Sequence, residues 1–218
     1  MPVLTDWKIE SIVADDEGCR FYLDQYKPFR LAALKHDPDA FGSTYDREIN
    51  FSDNDWLGRI KNPLAKTWVA VRPHDHKKRV LSATSLIGPL ENPDPANPVS
   101  NPHQASSEMR DGSDQHQIHG EASPMSFQIA GVYTAPEARG QGVAKAAVKT
   151  AIGYASSYAK ERGRPLALSV VVYATNHAAI SFYESCGFVV DAEGPRASFN
   201  SLKNCTDDEL CMHYRYQS

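Results

Sequence analysis

The first part of the chain alternates between strand-like and helix-like patterns of apolar residues. Apolar positions recur at roughly helical spacing over residues 18–34, with a break expected at Pro28 because proline lacks a backbone N–H. A shorter helix is predicted over residues 53–60. Period-two alternation and β-branched residues predict strands elsewhere in this part. These strands span residues 7–13, 67–71 and 80–87.

The second part contains the clearest helix of the sequence, which begins after Gly142 and ends at Gly163. Its apolar residues recur every three or four positions and form one stripe, which comprises Val143, Ala147, Val148, Ala151, Ile152 and Ala155. A short helix is predicted from Asn176, as its N-cap, to Cys186. Strands are predicted over residues 127–134, 166–174, 188–190 and 210–216.

This order of elements predicts an α/β (α+β) fold with a mixed central sheet covered by helices in three layers. Residues 166–174 are apolar on both faces, which is typical of a central strand. Residues 89–123 are rich in Pro, Asn and Ser and interrupt the pattern, so we expect a flexible insertion or a lid there. The remaining pattern predicts one domain spanning residues 1–218.

Charge and composition exclude several classes of protein. The 218 residues include 23 Lys and Arg against 27 Asp and Glu, a net charge of −4 that argues against a dedicated nucleic-acid binder. The chain has neither a membrane-length apolar run nor a secretory signal, so we expect a soluble protein of the cytoplasm or nucleus. Neither the four cysteines nor His103, His116 and His119 have metal-ligand spacing, so no metal is expected.

The most informative segment is Arg-Gly-Gln-Gly-Val-Ala at residues 139–144, between a predicted strand and a helix. The first N–H groups of a helix lack intrahelical partners, and glycines let an anion approach them closely. Six basic residues and one acid between positions 139 and 164 add positive charge. Lys145 occupies the position where a dinucleotide fingerprint needs Gly or Ala, and the P-loop Lys-Ser/Thr is absent. A turn that only joins two elements is the alternative.

This turn resembles the Arg/Gln-x-x-Gly-x-Gly/Ala pyrophosphate turn of the GNAT superfamily of N-acetyltransferases. Residues 176–188 resemble the second hallmark of that family, Asn-x-x-Ala-x-x-Phe-Tyr-x-x-x-Gly-Phe. Residues 29–44 resemble its amino-terminal helix pair, and the resemblance covers residues 5–88 and 125–216. It implies a mostly antiparallel sheet that is splayed between its fourth and fifth strands, with acetyl-CoA in the cleft.

The resemblance also implies roles for individual residues. Asn176 would contact the cofactor, although a purely capping role is the alternative; Tyr183 would act as general acid beside the thioester sulfur, although a core position is the alternative. Lys145 would lie near the pyrophosphate. Backbone groups would bind the rest of the cofactor: the pantetheine arm at Val132, Tyr133 and Thr134, and the pyrophosphate at Arg139, Gly140, Gln141, Gly142, Val143 and Ala144.

The general base is harder to assign, because residues 127–130 lack the carboxylate that many family members have on the fourth strand. Asp46, Glu48 and Glu121 remain as candidates, and we take Glu48 as the working assignment. Acids outnumber bases by six to one both in residues 37–55 and in residues 89–128. These stretches favour a cationic acceptor or, alternatively, form a solvated acidic face.

The resulting prediction is an acetyl-CoA-dependent N-acetyltransferase that transfers the acetyl group directly to a primary amine in a ternary complex. We expect a small-molecule acceptor, a monomer or homodimer, and no nucleic-acid or membrane partner. Two alternatives stay open. One is a peptide or protein acetyltransferase acting on Lys or amino-terminal amines, and the other is a non-catalytic acyl-CoA sensor.

Overall fold

A computed structural model describes residues 6–75, 78–90 and 123–215. Eight strands and six helices are formed in these ranges. The strands are β1 (Lys8–Ser11), β2 (Ala65–Val71), β3 (Val80–Leu90), β4 (Met125–Thr134), β5 (Leu166–Tyr173), β6 (Phe188–Val190), β7 (Arg196–Asn200) and β8 (Cys205–Tyr214). The helices are α1 (Asp16–Phe21), α2 (Lys27–His36), α3 (Tyr45–Ile49), α4 (Asp53–Lys61), α5 (Val143–Glu161) and α6 (His177–Ser185).

All eight strands belong to one sheet. Its order is β1-β2-β3-β4-β5-β8-β6, and β7 pairs with β8 beside this path. Neighbouring strands are antiparallel except β4 and β5, which are parallel because α5 crosses over between them. The predicted mixed and mostly antiparallel sheet is therefore confirmed.

The sheet separates into a fork between β4 and β5. The two strands pair from Met125 with Leu166 as far as Ile129 with Val170. Both strands continue beyond that point, but their residues are no longer paired with each other. Gly131 follows the last pair with φ +61°, a left-handed conformation that favours glycine. The pairing of β4 with β3 shifts register at the same place. The bend moves β4 away from β5, so the splay predicted between the fourth and fifth strands is confirmed.

Helices cover both faces of the sheet. Successive strand residues point to opposite faces, and in β2 Val69 packs in a cluster with Tyr22 and Trp56 of the amino-terminal helical region. Its neighbour Trp68 packs in the cluster that contains Val148 of α5. The amino-terminal helices and α5 thus lie on opposite faces, which confirms the three layers. The predicted apolar stripe of α5 is buried along its length.

The amino-terminal helix is interrupted one turn earlier than its proline suggested. A π-helical turn, Tyr22–Tyr26, joins α1 to α2, and the N–H of Lys27 donates to the carbonyl of Tyr22. Pro28 then lies in the first turn of α2, where a missing N–H costs nothing. The wider turn brings Tyr22 and Tyr26 into a stacked pair with ring centroids 4.5 Å apart, and both rings are buried.

Three elements extend beyond the predicted pattern. The sequence pattern assigns no element to helix α3, strand β7 or the first half of β8, and β7 and β8 form a hairpin. Asn200 in this hairpin donates from Nδ2 to the carbonyl of Gly42 at 2.9 Å, and Lys203 donates from Nζ to the carbonyl of Pro38 at 2.9 Å. The hairpin is thereby fixed over the segment between α2 and α3. Residues 91–122 of the predicted insertion lie outside the described ranges.

Candidate active site

The turn before α5 exposes an open helix terminus. Gly140 and Gly142 have φ +74° and +76°, a conformation that side chains rarely adopt. Gly142 is the N-cap of this 19-residue helix, and no side chain caps its first N–H groups. A Cβ at either glycine would meet no atom within 4 Å, so the surrounding space is open. The geometry is that of an anion site.

Side chains of the same turn tie it to neighbouring elements. Arg139 donates from Nη2 to Asp37 at 2.7 Å and from Nε to the carbonyl of Thr134 at 3.2 Å. Gln141 donates from Nε2 to the carbonyl of Glu137 at 2.9 Å. Lys145 donates to the Ser185 hydroxyl at 3.4 Å. Arg139 is thus paired with a carboxylate, and its side chain positions the turn.

The positive charge expected around this turn is more dispersed than the sequence count suggested. Lys160, Arg162 and Arg164 lie at the opposite end of α5. A helix of this length separates its ends by about 28 Å, well beyond the Debye length at physiological salt. Arg139 is neutralised by Asp37. Lys145 and Lys149 remain as the cations on the first two turns of the helix.

Asp37, Tyr133 and Arg139 form a hydrogen-bonded cluster beside the fork. The Tyr133 hydroxyl donates to Asp37 at 2.9 Å. Burial and this contact raise the pKa of Tyr133 to about 12. Burial alone would raise the pKa of Asp37, but hydrogen bonds from Arg139, Tyr133 and His36 outweigh it and lower the pKa. The cluster therefore stays ionised at Asp37 and protonated at Tyr133 near neutral pH.

A cavity of about 350 Å³ runs from the fork towards the amino-terminal helices. This volume lies in the range of small-molecule sites. Asn176 and Tyr183 line it beside the fork, and Phe41 and Gly42 line it below the β7–β8 hairpin. The cavity thus joins the two predicted site residues of α6 to the region that precedes α3. Its β4 and β5 walls consist of Gln128, Ile129, Ala130, Gly131, Val132, Val170, Val171, Val172 and Tyr173.

Asn176 is the N-cap of α6, and Tyr183 lies in the last turn of that helix. The Oδ1 atom of Asn176 accepts from the N–H of Ala179 at 3.0 Å, which is a normal N-cap contact. Tyr183 is buried against Phe182 and Phe188, with ring centroids 5.1 and 5.6 Å away. Burial raises the pKa of Tyr183 well above its usual value, so its hydroxyl stays protonated near neutral pH. Asn176 therefore caps the helix and also lines the cavity.

Cys186, three residues after Tyr183 and the C-cap of α6, is poorly suited to nucleophilic chemistry. It is buried, and burial raises the pKa of its thiol. The thiolate is the nucleophilic form, and a raised pKa lowers its population. All four cysteines are unpaired: Cys19, Cys186, Cys205 and Cys211.

Glu48 lies in the cavity wall but is a weak base there. Its side chain is 1% exposed, and Arg30 and Arg59 each approach its carboxylate to 3.1 Å. Burial alone would raise its pKa, but the two guanidinium groups lower it to about 2. A carboxylate this acidic holds a proton poorly. Among the other predicted bases, Asp46 is exposed on α3, and Glu121 lies outside the described residues.

Glu209 is a cavity carboxylate that the sequence did not indicate. It lies on β8 opposite Tyr173 of β5 and lines the cavity that Tyr183 also lines. Desolvation raises its pKa, while a hydrogen bond with Ser198 acts in the opposite direction. The sequence-based strand began at Leu210, so the alternation that turns Glu209 inward lay outside the prediction. The period-two alternation of β8 begins at Cys205, and following it from that residue would have indicated Glu209.

The chain matches the family described as acetyltransferase (GNAT) family over residues 114–188. This match contains β4, the glycine turn, α5, β5 and α6, which are the elements that build the fork. The match therefore covers about a third of the chain, the part that contains the glycine turn and α6. No curated protein matches the sequence.

Solved structures of several acetyltransferases share their fold with this chain. Arabidopsis thaliana NAA60 with a bisubstrate analogue is 16% identical, with TM-score 0.58, covering 95% of this chain and 97% of NAA60. Spermidine N-acetyltransferase from Vibrio cholerae, with CoA and spermine, is 15% identical, with TM-score 0.57 and coverage of 95% and 94%. Ribosomal-protein-S5-alanine acetyltransferase from Vibrio fischeri is 12% identical, with TM-score 0.61 and coverage of 95% and 92%.

Within residues 6–75, 78–90 and 123–215, no group of three or more His, Cys, Asp or Glu side chains could hold a metal ion. In the same part of the chain, no helix is long and apolar enough to cross a membrane. His103, His116 and His119 lie outside the described residues.

Proposed function

We propose that this chain is an acetyl-CoA-dependent N-acetyltransferase that transfers the acetyl group directly to a primary amine of a small molecule. The observation that carries the proposal is the single cavity that runs from the β4–β5 fork, beside Tyr183, to the amino-terminal helices. Such a cavity allows a thioester and an amine to meet without a covalent enzyme intermediate. The buried, protonated Cys186 agrees with direct transfer.

The fork and the glycine turn fit acetyl-CoA as co-substrate. In this proposal the pantetheine arm bonds to β4 at Val132, Tyr133 and Thr134, where β4 has left β5. The pyrophosphate lies on the uncapped N–H groups of α5, with Lys145 beside it. The backbone that surrounds it comprises Arg139, Gly140, Gln141, Gly142, Val143 and Ala144. Among the structurally similar proteins, Arabidopsis thaliana NAA60 has been solved with acetyl-CoA.

Tyr183 is proposed as the general acid. When the amine nitrogen bonds to the thioester carbonyl carbon, the carbon–sulfur bond breaks and the sulfur needs a proton. Tyr183 lines the cavity and its hydroxyl stays protonated, so the proton is present to be donated. The Nδ2 amide of Asn176 would contact the cofactor while its Oδ1 keeps α6 capped.

Glu209 replaces Glu48 as the proposed general base. An alkylammonium group has a pKa of about 10, so the acceptor must lose a proton before it attacks. Glu209 has a raised pKa in the cavity, whereas Glu48 is held at about 2 by its two arginines. A higher pKa makes a carboxylate a better proton acceptor at neutral pH. Glu209 therefore accepts the proton, directly or through water.

The experiment is thiol release from acetyl-CoA in the presence of separate amine classes, with the acetylated product identified by mass spectrometry. The classes are polyamines, aminoglycosides, aryl amines, amino acids and short peptides. Turnover with one small-molecule class supports the proposal. Turnover with peptides alone supports a peptide acetyltransferase. No turnover in a sample that binds acetyl-CoA contradicts the enzyme and supports an acyl-CoA sensor.

A further inference from the structure

Three charged side chains from three helices meet in the cavity wall. Arg30 of α2 donates from Nε and Nη2 to the two oxygens of Glu48 of α3, at 3.2 and 3.1 Å. Arg59 of α4 donates from Nη1 to Glu48 Oε2 at 3.1 Å. All three line the cavity, and the arginine side chains are only 13% and 10% exposed. We call Arg30, Glu48 and Arg59 the arginine pair site.

The arginine pair site has one positive charge in excess. Arginine stays protonated in proteins, and Glu48 stays ionised because its pKa is lowered to about 2. Two guanidinium groups therefore face one carboxylate. Each guanidinium has five N–H donors, and the bonds to Glu48 use two on Arg30 and one on Arg59. The buried site therefore has one positive charge that Glu48 does not balance, and it has N–H donors that Glu48 does not use.

Aromatic rings surround the excess charge. The Arg30 guanidinium lies 4.4 Å from the centre of Phe41, and that of Arg59 lies 5.0 Å from Phe51 and 4.9 Å from Trp56. Tyr22 and Tyr26 also lie close enough to interact electrostatically with Arg59. Burial raises the pKa of both phenols, so they stay neutral and do not balance its charge. Rings can hold a cation, although they do not neutralise it. A buried unbalanced charge is costly unless an anion joins it.

We infer that the arginine pair site binds a carboxylate of the acceptor, so the acceptor is an amino acid or a similar amino carboxylate. This inference rests on the proposed function. The planar fork of a guanidinium matches a carboxylate in geometry as well as in charge. The carboxylate lies against Arg30 and Arg59, and the amine faces the fork beside Tyr183. The cavity of about 350 Å³ has room for such a molecule.

The structure gives little support to the cationic acceptor that the acidic stretch of residues 37–55 favoured. Asp37 pairs with Arg139, and Asp53 pairs with Lys27. Asp55 accepts from the Ser52 N–H and hydroxyl at the start of α4. Glu48 lines the cavity, but its two arginines outweigh its charge. The local charge of the helical wall is therefore positive.

The test compares two amines that differ only in a carboxylate. Phenylalanine and phenethylamine form one pair, chosen because Phe199, at 64% exposure, lines the same cavity. Lysine and cadaverine form a second pair, and a dipeptide distinguishes a free amino acid from a peptide carboxylate. The readout is kcat/KM for thiol release from saturating acetyl-CoA. We expect the carboxylate-bearing member to be at least about tenfold better, as charged hydrogen bonds imply.

The variant Arg59→Lys keeps the positive charge and removes the planar guanidinium group. We expect it to raise KM for the amino acid by about tenfold more than KM for the decarboxylated amine. Arg47→Lys is the matched control, because Arg47 stacks on the same Phe51 ring at 4.9 Å without lining the cavity. A purely structural role of the arginine pair site would change both amines equally.

The wild-type comparison decides the inference even where a variant folds poorly. Equal rates within each pair, or faster turnover of the decarboxylated amine, overturn the inference and leave the proposed function intact. Absence of turnover with every amine, in a sample that binds acetyl-CoA, overturns both. Turnover of the dipeptide alone overturns the inference of a free amino acid and supports a peptide acetyltransferase.

Discussion

The proposed chemistry depends on two ionisable side chains whose pKa values are raised by the same cause. Burial destabilises the charged form of both Tyr183 and Glu209. A raised pKa keeps the phenol protonated, so its proton is present at neutral pH. The same change makes the carboxylate a stronger proton acceptor. One desolvated cavity can therefore supply an acid and a base at neutral pH.

Replacing Tyr183 by Phe removes the proposed donor and keeps the ring. We expect kcat to fall by roughly 10- to 1000-fold with little change in acetyl-CoA affinity, because the hydroxyl acts on the departing sulfur. Steady-state kinetics and calorimetric titration of acetyl-CoA measure the two quantities. Tyr154→Phe, on the exposed side of α5, is the control. An unchanged kcat in the Tyr183 variant would remove its role.

Replacing Glu209 by Gln should slow transfer to an alkylamine by roughly 100-fold. The loss should be much smaller with a hydrazine, which is already neutral at pH 7. In the wild type, activity should fall as the pH drops through the pKa of Glu209, because protonation removes the base. Asp208→Asn, one position along β8, is the control. Equal losses for both acceptors would argue for a structural role of Glu209.

Sequence patterns predict individual residues unevenly. Asn176 and Tyr183 belong to a local motif on one short helix, so their positions in the sequence place both beside the same strand end. Glu209 and the arginine pair site depend on contacts between elements far apart in the chain. Sequence spacing gives no distance between Glu48 and Arg30 or Arg59. The pairing that makes Glu48 a weak base therefore became visible only in three dimensions.

Among the elements, helix α5 and the turn before it are central to the account. Their apolar stripe, glycines and stop signal agree with one another, which is why this helix was predicted nearly to its last residue. Strand β7 has no comparable signal, because its sequence Arg-Ala-Ser-Phe-Asn lacks a continuous apolar face. Its pairing with β8 fixes it in the sheet. Tertiary contacts thus define the elements that local patterns leave unassigned.

The variant Gly142→Asp tests the anion site at the start of α5. A carboxylate there would occupy the place proposed for the pyrophosphate, so acetyl-CoA affinity should fall by roughly 100-fold or more. Asp caps helices well and tolerates a left-handed backbone better than most residues, so the fold should persist. Gly153→Asp, on an exposed position of α5, is the control. Normal binding by the Gly142 variant would mean that the pyrophosphate lies elsewhere.

At the scale of the whole molecule, the cavity is assembled from three separate parts of the chain. Helices α2–α4 form one wall, the fork and α6 form another, and the β7–β8 hairpin closes over the segment between α2 and α3. The contacts of Glu48 hold the first wall together. The acceptor side of the site therefore depends on the stability of the amino-terminal helices.

Glu48→Gln should reduce the free energy of unfolding by about 3 kcal/mol at pH 7, the value implied by a pKa of about 2 against 4.5. The folded-state pKa lies below the unfolded one, so this contribution is present above pH 4.5 and declines towards pH 2. Urea denaturation at pH 7 and pH 3 measures the change. Asp46→Asn is the exposed control on α3. A difference that did not shrink at pH 3 would contradict this ionic contribution.

The most direct test of the central claim is a crystal structure of the protein with CoA. The account predicts the pyrophosphate within hydrogen-bond distance of the N–H groups of residues 140–145. It also predicts the CoA sulfur beside the Tyr183 hydroxyl, at the point where the cavity meets the fork. CoA bound with its pyrophosphate away from α5, or with its sulfur outside the cavity, would contradict the account.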